Sequence, residues 1–131
     1  MASIYNIKNT RTQSIVKIVG SSEQAIVDIA TLAYTDQDFD RDNARVLLTS
    51  IIYHTESSTN IVRDGNVLFS MGGGGYSEVN FAQSMGAALD EKANADILIN
   101  FSTGENVVIL QLTKEAGYID PEQQSLQPFE R

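Results

Sequence analysis

The sequence predicts an all-β protein: an antiparallel β-sandwich, jelly-roll or immunoglobulin-like, with about seven or eight strands and extended terminal arms. Three observations carry this. Short runs rich in β-branched and aromatic residues recur at close, regular spacing. Polar turns containing Gly, Ser, Asn or Asp separate them. One stretch, Thr59-Asn60-Ile61-Val62-Arg63-Asp64-Gly65-Asn66-Val67-Leu68-Phe69-Ser70, carries a strong hairpin signal. Asp-Gly between two apolar runs suits a type I′ turn, whose central positions need φ > 0.

The elements are read in order. Residues 1–12 are polar and aperiodic and are expected to form an N-terminal arm. Ser14-Ile15-Val16-Lys17-Ile18-Val19 predicts a strand that stops at Gly20-Ser21-Ser22. Ala25-Ile26-Val27-Asp28-Ile29 is expected to pair back with it. Ile26, Ile29, Ala30 and Ala33 also fit helical spacing, so the strand is read to Ile29 and a helical turn over Ala30–Ala33. Thr35 to Asn43 is an acidic loop. Arg45 to His54 is apolar on both faces, as in a central strand or one side of a subunit interface.

After the hairpin come Met71 and Gly72 to Gly75, then a short strand over Tyr76 to Phe81. Ala82 to Ala95 reads as a loop with a helical turn near Ala87-Ala88-Leu89. Asp96 to Phe101 and Asn106 to Leu112 flank Ser102-Thr103-Gly104-Glu105 and predict a second hairpin. Val108, Leu110 and Leu112 would face the core, with Gln111 and Thr113 outward. Gly117-Tyr118 closes the last strand, and 119–131, with both prolines and Gln123, Gln124 and Gln127, is expected to be an extended tail. The domain is therefore 13–118, with an arm before it and a tail after it.

The chain has 131 residues, no cysteine and a formal net charge of −8. That length buries a sizeable core without a metal or disulfide. The missing thiols exclude disulfide scaffolds, thiolate metal sites and cysteine nucleophiles. The acidic balance argues against nucleic acid and anionic membranes as partners. The start of the sequence lacks a signal-peptide pattern, and no apolar run is long enough for a membrane helix. The protein is expected to be made in the cytoplasm.

No stretch carries a catalytic signature. Asp36, Asp38, Asp40 and Asp42 alternate, but the EF-hand places for Gly and Glu hold Arg41 and Leu47, so a solvated acidic loop is the expectation. Gly72 to Gly75 lacks the following Lys-Ser/Thr and helix of a phosphate loop. His54 is the only histidine, which excludes a two-histidine metal site within the chain; it is expected to be structural and hydrogen-bonded. No Gly-x-Ser-x-Gly elbow frames a serine. Asp90, Glu91 and Asp96 read as a solvated cluster. Tyr53, Tyr76, Phe81, Phe101 and Tyr118 are spread over the strands and are expected to lie mostly in the core, and the absence of Trp disfavours a carbohydrate platform. The expected catalytic, cofactor and metal residues are therefore none.

The chain resembles small β-sandwich proteins of tailed bacteriophages, of the capsid decoration (cement) type. The resemblance rests on Ala25 to Leu32, the strand–Asp64-Gly65–strand unit, Asn94 to Ile99, and the ending from Val107 to Tyr118. It implies a non-enzymatic virion component on the capsid surface that binds the major capsid protein and stabilises its lattice, with contacts from residues 1–12 and 119–131. A homo-oligomer, trimer or dimer, goes with that expectation. The alternatives are a neck, tail or fibre-associated virion protein and a small calcium- or sugar-binding sandwich.

Overall fold

The computed structural model describes residues 2–72, 75–80 and 94–120, and these form two antiparallel sheets packed face to face. The strands are β1 (Ser3–Asn9), β2 (Gln13–Gly20), β3 (Gln24–Val27), β4 (Asp38–Phe39), β5 (Arg45–Thr55), β6 (Thr59–Arg63), β7 (Asn66–Met71), β8 (Gly75–Asn80), β9 (Ile97–Asn100), β10 (Asn106–Ala116) and β11 (Tyr118–Ile119). One sheet runs β1-β2-β10-β5-β8 and the other β3-β9-β6-β7, while β4 and β11 pair as a short strap. The pairings β6 with β7, β5 with β8, β3 with β9 and β2 with β10 nest inside one another. That nesting is a long hairpin rolled over on itself, the jelly-roll form of the predicted sandwich.

The hairpin forms where Asp64-Gly65 predicts it. Asp64 has φ 51° and Gly65 φ 79°, the two left-handed positions of a type I′ turn. Alternation then sorts side chains by face. Val16, Ile18, Ile51, Val108, Leu110 and Leu112 point inward from the larger sheet, and Ala25, Val27, Ile61, Ile97 and Ile99 meet them from the smaller one. As predicted, Gln111 and Thr113 lie on the opposite face from Val108, Leu110 and Leu112. A 3₁₀ turn at Ile29–Leu32, its first turn capped by Asp28, matches the expected helical turn. A second 3₁₀ turn, Arg41–Asn43, sits in the acidic loop.

Three sequence expectations are corrected. The N-terminal stretch is not a free arm: Ser3–Asn9 is strand β1, in register with β2 from Ser3 opposite Val19 to Asn9 opposite Ser14. Its polar composition fits an edge strand with few buried side chains. Ala25–Val27 does not pair with β2. The bonds Ser22 N–H to Ser102 O (2.9 Å) and Phe101 N–H to Glu23 O (2.8 Å) carry the chain across to β9. The predicted second hairpin is also absent. β9 and β10 lie in different sheets, because each has one strongly apolar face and both faces are buried against each other across the core. Asn106 fixes that crossing: its Nδ2 donates to the carbonyls of Gly20, Ser102 and Gly104, and its Oδ1 accepts from Glu56 N–H.

The β4–β11 strap covers one end of the core. Gly117, at φ 92°, allows the chain to leave β10 and turn into it. A Cβ there would lie 2.3 Å from Ala44 Cα. Tyr118 packs on Phe39 with ring centroids 5.1 Å apart and donates its hydroxyl to Ile29 O at 2.5 Å. Of the predicted loop over 82–95, residues 82–93 with the expected helical turn lie outside the described residues; of the predicted tail 119–131, Ile119 is instead paired with Asp38 in β11, and 121–131 lie outside the described residues.

Candidate interaction surface

The titratable groups in the interior come first, because buried charge is the usual mark of a reactive site. Lys114, 6 % exposed, ends the inward face of β10. Its Nζ donates to Asn9 Oδ1 (2.8 Å), Thr10 O (2.7 Å) and Leu32 O (2.5 Å) and sits 5.1 Å above the Tyr118 ring. Burial pushes this ammonium down to about 8, against the opposing pull of Asp120. Burial likewise holds the Tyr118 phenol well above its ordinary value. Arg63, 1 % exposed, donates from Nε to Ala95 O (2.8 Å) and from Nη1 to Val46 O (2.6 Å). Both cations serve backbone carbonyls. They bolt loops to strands, and the three Lys114 acceptors match the three protons of an ammonium.

The residues that the sequence singled out do not converge. Asp40 caps the Arg41–Asn43 turn and accepts from Asn43 Nδ2, Asp36 lies 3.8 Å from Arg11, and Asp42 and Asp38 are exposed. Asp96 accepts from Ile29 N–H and pairs with Arg41, which also reaches Asp28. Asp90 and Glu91 lie outside the described residues. Among the described residues, no three His, Cys, Asp or Glu side chains form a group that could hold a metal ion. Gly72 follows β7 and Gly75 opens β8, with Gly73 and Gly74 outside the described residues. His54 corrects its expectation: it is exposed on β5, directly opposite Val107, and takes no part in the core. Of the aromatics, Phe101 and Tyr118 are buried and Tyr53 packs partly against the core. No helix among the described residues is long and apolar enough to cross a membrane.

What does converge is the outer face of the larger sheet. Register places Tyr5, Lys17, Ile109, Ile52 and Glu78 side by side in one row across β1, β2, β10, β5 and β8. The neighbouring rows add Val19 and Val107 on one side and Ile15 on the other. The result is a centre of five β-branched apolar side chains, none of which packs against the core. Lys17 flanks it on one side, with its Nζ 6.0 Å from the Tyr5 ring centroid, and Glu78 on the other. The outer face of a two-layer sandwich ordinarily alternates to polar residues. This one is apolar where the sheet is widest.

No protein-family model and no curated protein matches the sequence. The solved structures it is similar to include cupin-type proteins. KdgF from Halomonas sp. shares 7 % identity over 88 % of this chain and 80 % of its own, at a TM-score of 0.40. A cupin superfamily protein from Desulfitobacterium hafniense shares 11 % over 92 % and 79 %, at 0.37. An RmlC-like cupin family protein with a double-stranded β-helix fold, from Methanocaldococcus jannaschii, shares 12 % over 97 % and 86 %, at 0.35. At that distance they carry no argument about activity. The capsid-decoration expectation is withdrawn: the solved structures found similar to this chain include cupin-type proteins. Residues 1–12, expected to reach out as a free arm, instead hold strand β1.

The outer-face row was partly legible. Arg45 to His54 is apolar on both faces in the sequence, and Ile52 is the outward member. Its partners Ile109, Val107, Val19 and Ile15 belong to strands far away in sequence, and only the register joins them.

Proposed function

We propose that this protein self-associates, two copies packing the outer faces of their larger sheets together. The single observation that carries this is the row Tyr5–Lys17–Ile109–Ile52–Glu78. Stacked sheets lie about 10 Å apart with strands within about 30° of parallel. A two-fold axis parallel to the strands and midway between β10 and β5 lays Ile109 of one copy over Ile52 of the other. The same operation sets Lys17 over Glu78 of the second copy, since β2 and β8 are equally far from that axis. The face is thus self-complementary in both apolarity and charge, as an isologous interface requires. Buried apolar contact at the centre supplies the affinity, and the rim pairs set orientation.

Sedimentation velocity tests this. The wild-type chain is expected to run as a dimer of a 14.3 kDa subunit. Ile109→Asp is expected to run as a monomer with an unchanged circular dichroism spectrum, because its side chain leaves the core untouched. Val67→Asp, on exposed β7, is expected to stay dimeric. A wild-type monomer at all concentrations, or an Ile109→Asp dimer, overturns the proposal.

A further inference from the structure

His54, the only histidine of the chain, lies inside the face on which two copies are proposed to pack. It is exposed on β5, two residues beyond Ile52 and therefore on the same side of the strand. Register sets it in one row with Ser3, Val19, Val107 and Tyr76, across β1, β2, β10, β5 and β8. This row runs directly beside the Tyr5–Lys17–Ile109–Ile52–Glu78 row. Val19 and Val107 keep it apolar as far as β5, and there His54 takes the place that Ile52 holds in the next row. A titratable side chain thus adjoins the apolar centre of the face.

The two-fold axis of the proposed packing runs parallel to the strands between β10 and β5, so it passes beside His54. Because Val107 and His54 are register partners, the operation lays Val107 of one copy over His54 of the other. It also brings the two His54 residues together. Each stands half a strand spacing from the axis, which puts them about 5 Å apart across the strands, in a layer about 10 Å deep between the two sheets. Two neutral imidazoles fit that space, and one can donate its ring N–H to the bare nitrogen of the other. Two imidazolium ions have only donors and repel each other where packing has removed the water.

The other titratable groups around His54 do not offset that repulsion. Tyr76 is its register partner on β8, and a tyrosine is uncharged throughout the acid range. Glu78, two residues further along β8, is matched by Lys17 of the other copy. Glu105, just before β10, and Glu56, just after β5, are exposed at the end of the sheet, where Glu56 lies against Gly104. These two carboxylates face solvent with or without a second copy. What changes on association is the loss of water around His54 and the arrival of the second His54.

We infer that protonation of His54 drives the two copies apart, so that self-association is switched by pH in the range where histidine ordinarily changes charge, about pH 5 to 8. The inference rests on the face-to-face packing proposed above. Association favours the neutral ring, so each copy must release a proton to pair in acid, and affinity falls as pH falls.

Sedimentation equilibrium of the wild type and of His54→Gln, at pH 5.5 and pH 8, tests it. The wild type is expected to associate at least tenfold more weakly at pH 5.5. His54→Gln is expected to dimerise at both values with less than a threefold difference. Carboxylates ordinarily titrate near about 4 and remain mostly charged at both values. A wild-type association constant that is equal at the two values, or larger at pH 5.5, overturns the inference and leaves the packing standing. So does a His54→Gln variant with the pH dependence of the wild type. A wild type that is monomeric at pH 8 overturns the packing and this inference with it.

Discussion

Lys114 makes a prediction whose sign is fixed by the structure. Its ammonium touches two carbonyls and one side-chain amide oxygen, and the negative charge that acts on it is Asp120. Uncharged acceptors compensate only part of the lost solvation, so its proton is held less tightly folded than unfolded. The value falls from 10.5 to about 8. Between those two pH values the unfolded chain binds more protons than the folded one, and stability rises with pH. Below about 8 both states hold the proton and the contribution is constant. At 1.36 kcal/mol per unit, the full rise is about 3 kcal/mol, an upper figure reached only near pH 10.5. The assay is urea denaturation of the wild type and Lys114→Met at pH 7 and pH 10. Other titrating groups occur in both proteins and cancel in the difference. The wild type is expected to gain about 2–3 kcal/mol on Lys114→Met between the two pH values. A difference that stays flat, or that narrows, refutes the reasoning and means that the three acceptors hold the charged form as firmly as water does.

Further substitutions test the framework. Gly117→Ala meets Ala44 Cα at 2.3 Å at a left-handed φ, and is expected to lower stability by more than about 2 kcal/mol by thermal melting. Gly65→Ala also has positive φ but nothing within 4 Å, so its cost should stop near the intrinsic value of about 1 kcal/mol. Asn106→Asp turns a donor to three carbonyls into a carboxylate facing them, and should cost at least about 2 kcal/mol at neutral pH by chemical denaturation.

Local chemistry made part of this fold readable. Asp64-Gly65 dictates its turn because few residues tolerate two consecutive left-handed positions, and the turn sets which residues of β6 and β7 oppose. The inward set Val108, Leu110 and Leu112 followed from simple alternation. Pairing between distant strands was not readable. Ile97–Asn100 and Asn106–Ala116 look like a hairpin because the short Gly-containing loop between them is compatible with one. They part because Asn106 bonds to both Gly20 and Ser102 and because two buried apolar faces must meet across the core. Ser3–Asn9 escaped notice because an edge strand with exposed side chains has the composition of a loop. Apart from Ile52, which lies on a strand apolar on both faces, the outer-face row was hidden for a related reason: each member is an ordinary side chain until register sets them side by side.

The most direct test of self-association is a charge exchange across that row, read by sedimentation equilibrium. Lys17→Glu and Glu78→Lys each set like charges against each other at the rim, and each is expected to weaken the dimer. The double exchange restores opposite charges and is expected to recover the wild-type association constant. Recovery requires Lys17 of one copy to lie over Glu78 of the other. Two single variants that weaken the dimer with no recovery in the double, or single variants with no effect, would contradict the face-to-face arrangement.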